Sequence, residues 1–297
     1  MKTHEIKRIL VPVDFGDKSK IALSEAVNLA GILSAELHLI HVIEYKEHLF
    51  LVEQESQVLL PTFEEREAQV EKRMNKIRED IEKTNRINAK VFITDGHIYS
   101  EIIDYAEKKK INLIVMGTHG ASGYKEYFIG SNAQRVVTLS EIPVLTIQKL
   151  NHHLGFKNIL IPIDNSLHSR QKINLAIVFA EIFQAHIHLI GLPESETTLE
   201  LNKFKIKLKS VEDIIESDGL SYTTTIVHGN SLAKAAIDYS KQHSCDLIVI
   251  NTGHESKITG IFLGAFAQQI VNHSDIPVLS IKHTPDHYVI ETPGFGV

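Results

Sequence analysis

The chain repeats one order of short apolar runs, and this repetition restricts its possible folds more than any other feature. ILVPVD at residues 9–14 returns 150 residues later as ILIPID at residues 159–164. LIVMG at residues 113–117 and IPVLTI at residues 142–147 return 134 residues later as LIVIN and IPVLSI. Similar runs that recur in the same order indicate two copies of one domain. The 297 residues are enough for two domains of ordinary size.

Each copy alternates β-branched runs with segments of helical periodicity, which is the pattern of β-α-β units around a parallel sheet. Strands are predicted near residues 8–13, 35–42, 88–94, 112–117 and 143–148, and near 158–163, 185–191, 221–228, 246–251 and 277–282. Helices of the first copy are predicted at Lys18–Leu33, Phe63–Thr84, Ser100–Lys109 and Asn132–Ser140. The sequence therefore predicts an α/β fold of two tandem, doubly wound, five-stranded parallel-sheet domains.

Residues 1–150 form the first predicted domain and residues 156–283 the second, with the boundary near Asn151–Gly155. The first copy is longer because of an extra segment at Glu44–Thr62, whose apolar residues predict that it docks against the protein. Residues 284–297 contain prolines and glycines without a counterpart in the first copy, so they are interpreted as a tail.

The composition excludes several classes of protein. The apolar content of 43% and the charged content of 23% are typical of soluble domains, and no apolar run is long enough to span a bilayer. The first residues lack the features of a signal peptide, so we expect a cytoplasmic protein without membrane contact. A single cysteine, Cys245, excludes an internal disulfide and a site of several cysteines. The net charge of −6 opposes nucleic-acid binding.

The residues with the clearest chemistry follow the fourth predicted strand of the first copy, in the spacing G-x2-G-x9-G-S. They are Gly117, Gly120, Gly130 and Ser131, after which Asn132 opens a helix. Glycines let the backbone approach a phosphate, while amides and a hydroxyl at a helix N-terminus donate hydrogen bonds to its oxygens. A glycine-rich turn followed by a capping serine has the same pattern. The spacing alone does not separate these two interpretations.

With these residues the chain resembles the universal stress protein family over residues 5–283, in the form that carries two family domains in tandem. In that family the G-x2-G-x9-G-S/T loop marks members that bind ATP. The resemblance therefore implies an ATP site in the first copy and an adenine-nucleotide α-hydrolase-like fold. The residues that it assigns to ATP are Pro12, Val13, Asp14, Val42, Met116, Gly117, His119, Gly120, Gly130, Ser131 and Asn132.

The same resemblance implies that the two copies pair about a pseudo-two-fold axis through their last strands. These strands are Val144–Ile147 and Val278–Ile281, and both are apolar enough to pair. The chain would then make internally a contact that single-domain relatives make as dimers. A further homodimer stays open.

Asp14 has two interpretations. A carboxylate beside a triphosphate is repelled unless it binds ribose hydroxyls or a divalent cation, so we expect ribose contact, with Mg²⁺ accompanying ATP. The alternative is a cap for the helix that starts near Lys18. The presence of Asp164 at the matching position of the second copy keeps that alternative open.

The second copy keeps the spacing of the loop but changes its residues. Asn251, His254, Gly264 and Ala265 stand where the first copy has Gly117, Gly120, Gly130 and Ser131. A histidine side chain fills space that phosphates need, and alanine has no hydroxyl to donate. We therefore expect no tight ATP binding in the second copy. The alternative is a different ligand that contacts His254 and His228.

The 17 histidines raise the question of a metal site. His186 and His188 would point to one face of a strand, but a third ligand cannot be placed from sequence, and His152 and His153 lie in the linker. His38 and His41 would point to opposite faces of the second strand. We expect no metal site.

Signatures of catalysis are missing from the sequence, including the G-x4-G-K-S/T phosphate loop, H-E-x-x-H and G-x-S-x-G. Lys125 is the one obvious basic candidate inside the glycine loop. We therefore expect a non-enzymatic, ATP-binding stress-response regulator with unknown protein partners, whose second copy is mainly structural. The alternatives are a slow ATPase or nucleotide-using enzyme, and an interaction scaffold without nucleotide.

Overall fold

The structure is a computed structural model that describes residues 6–44, 63–118, 129–149, 155–164, 171–193, 197–228, 231–252 and 263–282. Several sequence predictions lie outside these ranges. They concern the segment after Glu44, the loop residues His119, Gly120 and Lys125, the histidines His152, His153 and His254, and residues 284–297.

The two copies alternate strands and helices in the predicted order. The first contains β1 (Arg8–Pro12), α1 (Asp17–Leu33), β2 (Glu36–Ile43), α2 (Phe63–Asn85), β3 (Ala89–Asp95), α3 (Ile98–Lys108), β4 (Leu113–Gly117), α4 (Ser131–Leu139) and β5 (Val144–Ile147). The second contains β6 (Asn158–Ile163), α5 (Gln171–Phe183), β7 (His186–Gly191), α6 (Thr198–Ser217), β8 (Tyr222–Ile226), α7 (Leu232–Gln242), β9 (Leu247–Thr252), α8 (Ala265–His273) and β10 (Val278–Lys282). The predicted α/β fold is confirmed, with element ends that agree to within about two residues.

None of the helices in the described ranges has the length and apolar character that a bilayer span requires.

The strands form one sheet in the order β3-β2-β1-β4-β5-β10-β9-β6-β7-β8. Neighbouring strands are parallel within each copy, and the two halves meet where β5 pairs antiparallel with β10. In this ladder Leu145 lies opposite Leu279 and Thr146 opposite Val278. The Thr146 hydroxyl also donates a hydrogen bond to the Val278 carbonyl at 3.3 Å. The predicted pairing of the last strands is therefore confirmed.

Two clusters of buried apolar side chains cover the two faces of this sheet. Because alternate residues of a strand point to opposite faces, Leu145 and Leu279 belong to one cluster, and Val144 and Val278 to the other. Helices α1, α2, α5 and α6 pack in the first cluster, and α3, α4, α7 and α8 in the second. Each cluster contains residues of both copies, so the core continues through the junction.

The histidines of β2 have protein partners on opposite sides of the strand, as predicted. His38 is buried and forms a hydrogen bond with the Tyr105 hydroxyl of α3 at 2.8 Å. His41 donates from Nδ1 to the Val13 carbonyl at 2.6 Å, because a carbonyl can only accept. Burial lowers the pKa of both rings below the ordinary value, so both are neutral near pH 7.

The second copy repeats the histidine–tyrosine pair of the first. His188 lies at the position of His38 and forms a hydrogen bond with the Tyr239 hydroxyl at 3.3 Å. The His186 ring is 4.9 Å from the His188 ring, centroid to centroid, which places both on one face of β7 as predicted. The described ranges contain no group of three or more His, Cys, Asp and Glu side chains placed to hold a metal ion.

His188 makes stability depend on pH. Burial, followed by the charges of His186 and His243, lowers the pKa of His188 from 6.5 to about 4. The unfolded chain then binds a proton more readily than the folded protein, so this contribution is complete above pH ~6.5 and is lost as the pH falls towards ~4. We expect chemical denaturation to give a smaller loss of unfolding free energy between pH 7 and pH 4.5 for His188→Gln than for wild type. A wild-type slope in His188→Gln would contradict the assignment.

Candidate functional site

A cleft opens at the carboxyl ends of the strands of the first copy, where β1 lies between β2 and β4. The chain continues from β1 to β2 on one side, whereas β4 and β5 lie on the other side. Parallel sheets bind ligands at such a point, where the strand order reverses. The cavity has a volume of about 310 Å³. The structure brings together at this cavity the predicted residues Pro12, Val13, Asp14, Val42, Met116, Gly117, Gly130, Ser131 and Asn132.

Part of the cavity lining is apolar and consists of Val13, Ile98, Ile102 and Met116, here called the apolar wall. Val13 and Met116 are 4% and 6% exposed, so packing holds their side chains in place. Ile98 and Ile102 come from the start of α3. Such a surface suits a flat, largely apolar ring system, because its burial releases water without stranding a polar group.

Asp14 supplies a carboxylate at the end of β1. Its Oδ1 accepts a hydrogen bond from the Gly16 N–H at 2.9 Å, and its own N–H donates to Ser19 Oγ at 3.2 Å. Gly16, rather than Asp14, is the N-cap residue of α1. Because the Asp14 carboxylate accepts from the N–H of that residue, it supports the start of α1, and the interpretation as a cap stands beside that of ribose contact. Asp14 shapes the turn before α1 and remains half-buried at the cavity.

The N-terminus of α4 points its amides at the same cavity. The first hydrogen bond within the helix runs from the Gln134 N–H to the Gly130 carbonyl at 2.9 Å. The N–H groups of Ser131, Asn132 and Ala133 precede that bond and have no partner inside the helix. These amides and the positive end of the helix dipole favour an anion.

Gly130 differs from its predicted role in one respect. Its N–H, which the sequence offered as a donor to phosphate, donates instead to the Thr118 carbonyl at 2.6 Å. This bond closes the two ends of the glycine loop against each other. At the start of α4, the amides available to a ligand therefore begin at Ser131.

Gly117 is required by packing as well as by any ligand. A Cβ placed on it would lie 2.8 Å from both the carbonyl carbon and the carbonyl oxygen of Lys18. The first turn of α1 thus crosses the end of β4 at a distance that only glycine permits. Phosphate approach was the reason that the sequence offered for this glycine, and the helix packed behind it is a second reason that no local motif indicates.

Sequence reasoning also missed part of the cavity lining. The additional residues are Ser19, Ile40, His41, Glu44, Ile98, Ile102 and Ala133. Ile40 and His41 directly precede the predicted Val42, so the same strand end was their signal. Ile98 and Ile102 reach the cavity from a helix that the motif does not include, and the sequence carries no local signal for them.

The second copy has the same frame with a different cleft. Leu192, at the position of Val42, is fully buried, whereas Val42 is partly exposed. α8 begins at Ala265, so the hydroxyl of Ser131 has no counterpart there. Asn251 introduces a side chain where the first copy has Gly117.

Asp164 of the second copy also has different neighbours from Asp14. Lys207 donates from Nζ to the Asp164 carbonyl oxygen at 2.6 Å. Lys172 is 3% exposed, and burial lowers its pKa to about 8 against the opposing effect of the Asp164 charge. The first copy has Ala22 where the second has Lys172, and Arg73 where the second has Lys207. The end of β6 therefore has a buried lysine beside it, whereas the matching position beside β1 carries no charge.

Comparison with known proteins gives matches in both copies. The model of the universal stress protein family matches residues 5–148 and again residues 155–282. Universal stress protein MJ0531 of Methanocaldococcus jannaschii is 32% identical over 143 residues, which cover 48% of this chain and 82% of that protein. Universal stress protein YxiE of Bacillus subtilis is 32% identical over 154 residues, which cover 48% of this chain and 98% of that protein.

A solved structure matches nearly the whole chain. A universal stress protein from Archaeoglobus fulgidus covers 95% of this chain and 98% of its own, with a TM-score of 0.74 at 20% identity. The likeness supports the tandem fold across both copies.

The packing at Gly117 leads to a stability prediction. Gly117→Ala forces α1 away from β4 and should lower the free energy of unfolding by about 1–3 kcal/mol, the usual cost of overpacking. Gly31→Ala, in the same helix, is the control, because its Cβ would meet only Ile87 Cδ1 at 3.8 Å. Alanine is the better helix former there and should raise stability by about 0.5–1 kcal/mol. Denaturant unfolding of both variants measures the difference, and equal stabilities would contradict the close approach.

Proposed function

Because the chain belongs to the universal stress protein family, we propose that it is a stress-response protein whose first copy binds ATP. One observation carries this proposal. The apolar wall, the Asp14 carboxylate and the N-terminus of α4 all border the same cavity. An adenine nucleotide offers a matching partner for each, with a flat base, a hydroxylated ribose and phosphates.

The contacts follow from these properties. Val13, Met116 and Ile98 would cover the adenine ring, and Asp14 would accept hydrogen bonds from ribose hydroxyls. The phosphates would lie at the N–H groups of Ser131 and Asn132, where the helix dipole offsets part of their charge.

Mg²⁺ belongs to the proposal because of the charges at the cavity. Asp14 and Glu44 place two carboxylates at the lining, and the described lining residues include no lysine or arginine. A triphosphate beside carboxylates is repelled, and a cation held mainly by phosphate oxygens and water relieves that repulsion. The nucleotide should therefore bind as its magnesium complex.

We propose binding without turnover. Rapid phosphoryl transfer needs a group that orients the nucleophile and a positive charge at the transferring phosphoryl group. In the described lining, the polar side chains are carboxylates, hydroxyls, one amide and the neutral His41. These side chains can hold a nucleotide, but they supply no positive charge to stabilise the transition state of phosphoryl transfer.

The second copy is proposed to be a structural partner. Leu192 and Ala265 replace groups that the first copy presents to its cavity. Because β10 already occupies the pairing edge of β5, a homodimer would use another surface. The cytoplasm remains the proposed location, and the protein partners would be those that read the nucleotide-bound first copy.

The helix N-terminus gives a direct test of ATP binding. Ser131→Pro removes one amide donor and its hydroxyl, while the backbone tolerates it because proline is favoured at the first helical position and Gly130 is extended, with φ −60° and ψ 147°. Titration calorimetry with Mg-ATP should give one site for wild type and an affinity lower by about tenfold or more for Ser131→Pro. Ser131→Ala, which keeps the amide, should lose less.

Ala265→Pro is the matched control in the second copy, where Gly264 is likewise extended, with φ −54° and ψ 147°. It should bind Mg-ATP as wild type does. An unchanged affinity in Ser131→Pro, or a loss in Ala265→Pro instead, would refute the assignment of the site to the first copy.

Phosphate release tests the absence of turnover. The purified chain with saturating Mg-ATP should release no more than about one phosphate per chain over hours, because the described lining lacks a mobile positive charge. Steady release that Ser131→Pro abolishes would identify a slow ATPase instead. A wild-type chain that binds no nucleotide at saturating Mg-ATP would favour the scaffold alternative.

A further inference from the structure

The second copy contacts the glycine loop of the first through one buried hydrogen bond. Asn272, the penultimate residue of α8, accepts at Oδ1 from the Ile129 N–H at 3.0 Å. Asn272 and Ile129 are each 7% exposed. Ile129 directly precedes Gly130, the N-cap residue of α4, so the bond lies one residue before the proposed phosphate site.

The Asn272 backbone is in turn held by the first copy. Gln148 follows β5 closely and donates from Nε2 to the carbonyls of Val271 and Asn272, at 3.0 and 3.2 Å. Lys18 donates from Nζ to the Gln148 carbonyl at 2.8 Å. Lys18 is the residue whose backbone touches Gly117, so the end of α8 is connected to both ends of the loop.

The pseudo-symmetry of the chain provides an internal comparison. Thr138 in α4 stands where α8 has Asn272, and its hydroxyl donates to the Gln134 carbonyl of its own helix at 2.7 Å. The mirrored bond, to the Leu263 N–H, does not occur within the described residues. By contrast, the contact of Gln148 is mirrored, since Lys282 donates to the Leu139 carbonyl at 3.0 Å. The asymmetric bond therefore points towards the copy that retains the intact loop.

We propose that Asn272 is a positioning residue for the nucleotide site of the first copy and couples that site to the docking of the second copy. This inference rests on the proposed ATP site. The Ile129 N–H is buried, so it must find an acceptor, and Asn272 Oδ1 supplies one directly before the start of α4. The amides at Ser131 and Asn132 are then held in place before a ligand arrives, which lowers the cost of binding.

The test uses one variant that removes the acceptor, one that replaces it by a shorter hydroxyl and one that retains it. Asn272→Leu keeps the approximate volume without an acceptor. Asn272→Thr introduces the residue that α4 itself carries at the matching place, where the hydroxyl donates to its own helix instead of contacting the mirrored amide. Asn272→Asp retains Oδ1 and should restore the contact. Thr138→Val is the mirrored control, because it changes the same interface without touching the loop.

Two measurements are made on the full chain. Amide hydrogen exchange without nucleotide reports the loop itself, and we expect the Ile129 amide to exchange faster by about 5- to 150-fold in Asn272→Leu and Asn272→Thr. Titration with Mg-ATP should show a loss of affinity within the same range of about 5- to 150-fold. Thr138→Val should stay close to wild type in both. Asn272→Asp should keep the slow exchange of the Ile129 amide, while its carboxylate lowers ATP affinity by repulsion.

The outcomes separate the two proposals. If wild type binds no Mg-ATP, the ATP site is wrong, yet faster exchange at Ile129 would still establish the positioning contact. If exchange at Ile129 and ATP affinity are unchanged in Asn272→Leu and Asn272→Thr, the positioning role is overturned. Equal losses in Thr138→Val would overturn it too, because they would reflect a loosened interface.

Discussion

The antiparallel ladder between β5 and β10 is the contact on which the rest of the arrangement depends. Without it, each half would end in an open strand edge, with unpaired backbone groups and an exposed apolar strip. With it, Leu145 and Leu279 lie directly opposite each other and one core runs across both copies. The ladder also fixes where α8 ends, because α8 leads directly into β10. The end of α8 is thereby brought to the glycine loop of the other copy.

A shared frame lets the two copies differ where a ligand would bind without differing in fold. The strands and the histidine–tyrosine pairs recur, since they carry packing and hydrogen bonds that either copy needs. The cleft residues do not recur. Leu192 is fully buried where Val42 is partly exposed, and Lys207 donates a hydrogen bond to the Asp164 carbonyl at the end of β6. Stability is thus supplied by both halves, while the groups that suit a nucleotide are concentrated in one.

Periodicity and the internal repeat were sufficient to predict the strands and the helices, because each depends on short-range patterns of apolar residues. The pairing of the last strands was predicted from the family resemblance, since contacts between the copies leave no local pattern. The predicted site residues that the structure describes also lie at one cavity. It did not reveal why Gly117 must be glycine or that the Gly130 N–H is already used, since both depend on where α1 and the loop ends lie in space. Ile98 and Ile102 were not predicted as lining residues for the same reason.

The contrast between Asn272 and Thr138 makes the two copies of the duplicated chain unequal. Asn272 contacts the glycine loop of the other copy, whereas Thr138 bonds within its own helix. Coupling between two sites is reciprocal. If the docked second copy strengthens nucleotide binding to the first copy through Asn272, a bound nucleotide strengthens the docking of the second copy by the same free energy. In a dimer of separate chains, part of that free energy would be spent on holding the subunits together. In this chain the copies are covalently joined and share a ladder, so docking proceeds at a high effective concentration. The free energy of the Asn272 contact is therefore available to fix the start of α4, and the copy that lacks the mirrored contact is the one whose helix begins with Ala265 instead of Ser131.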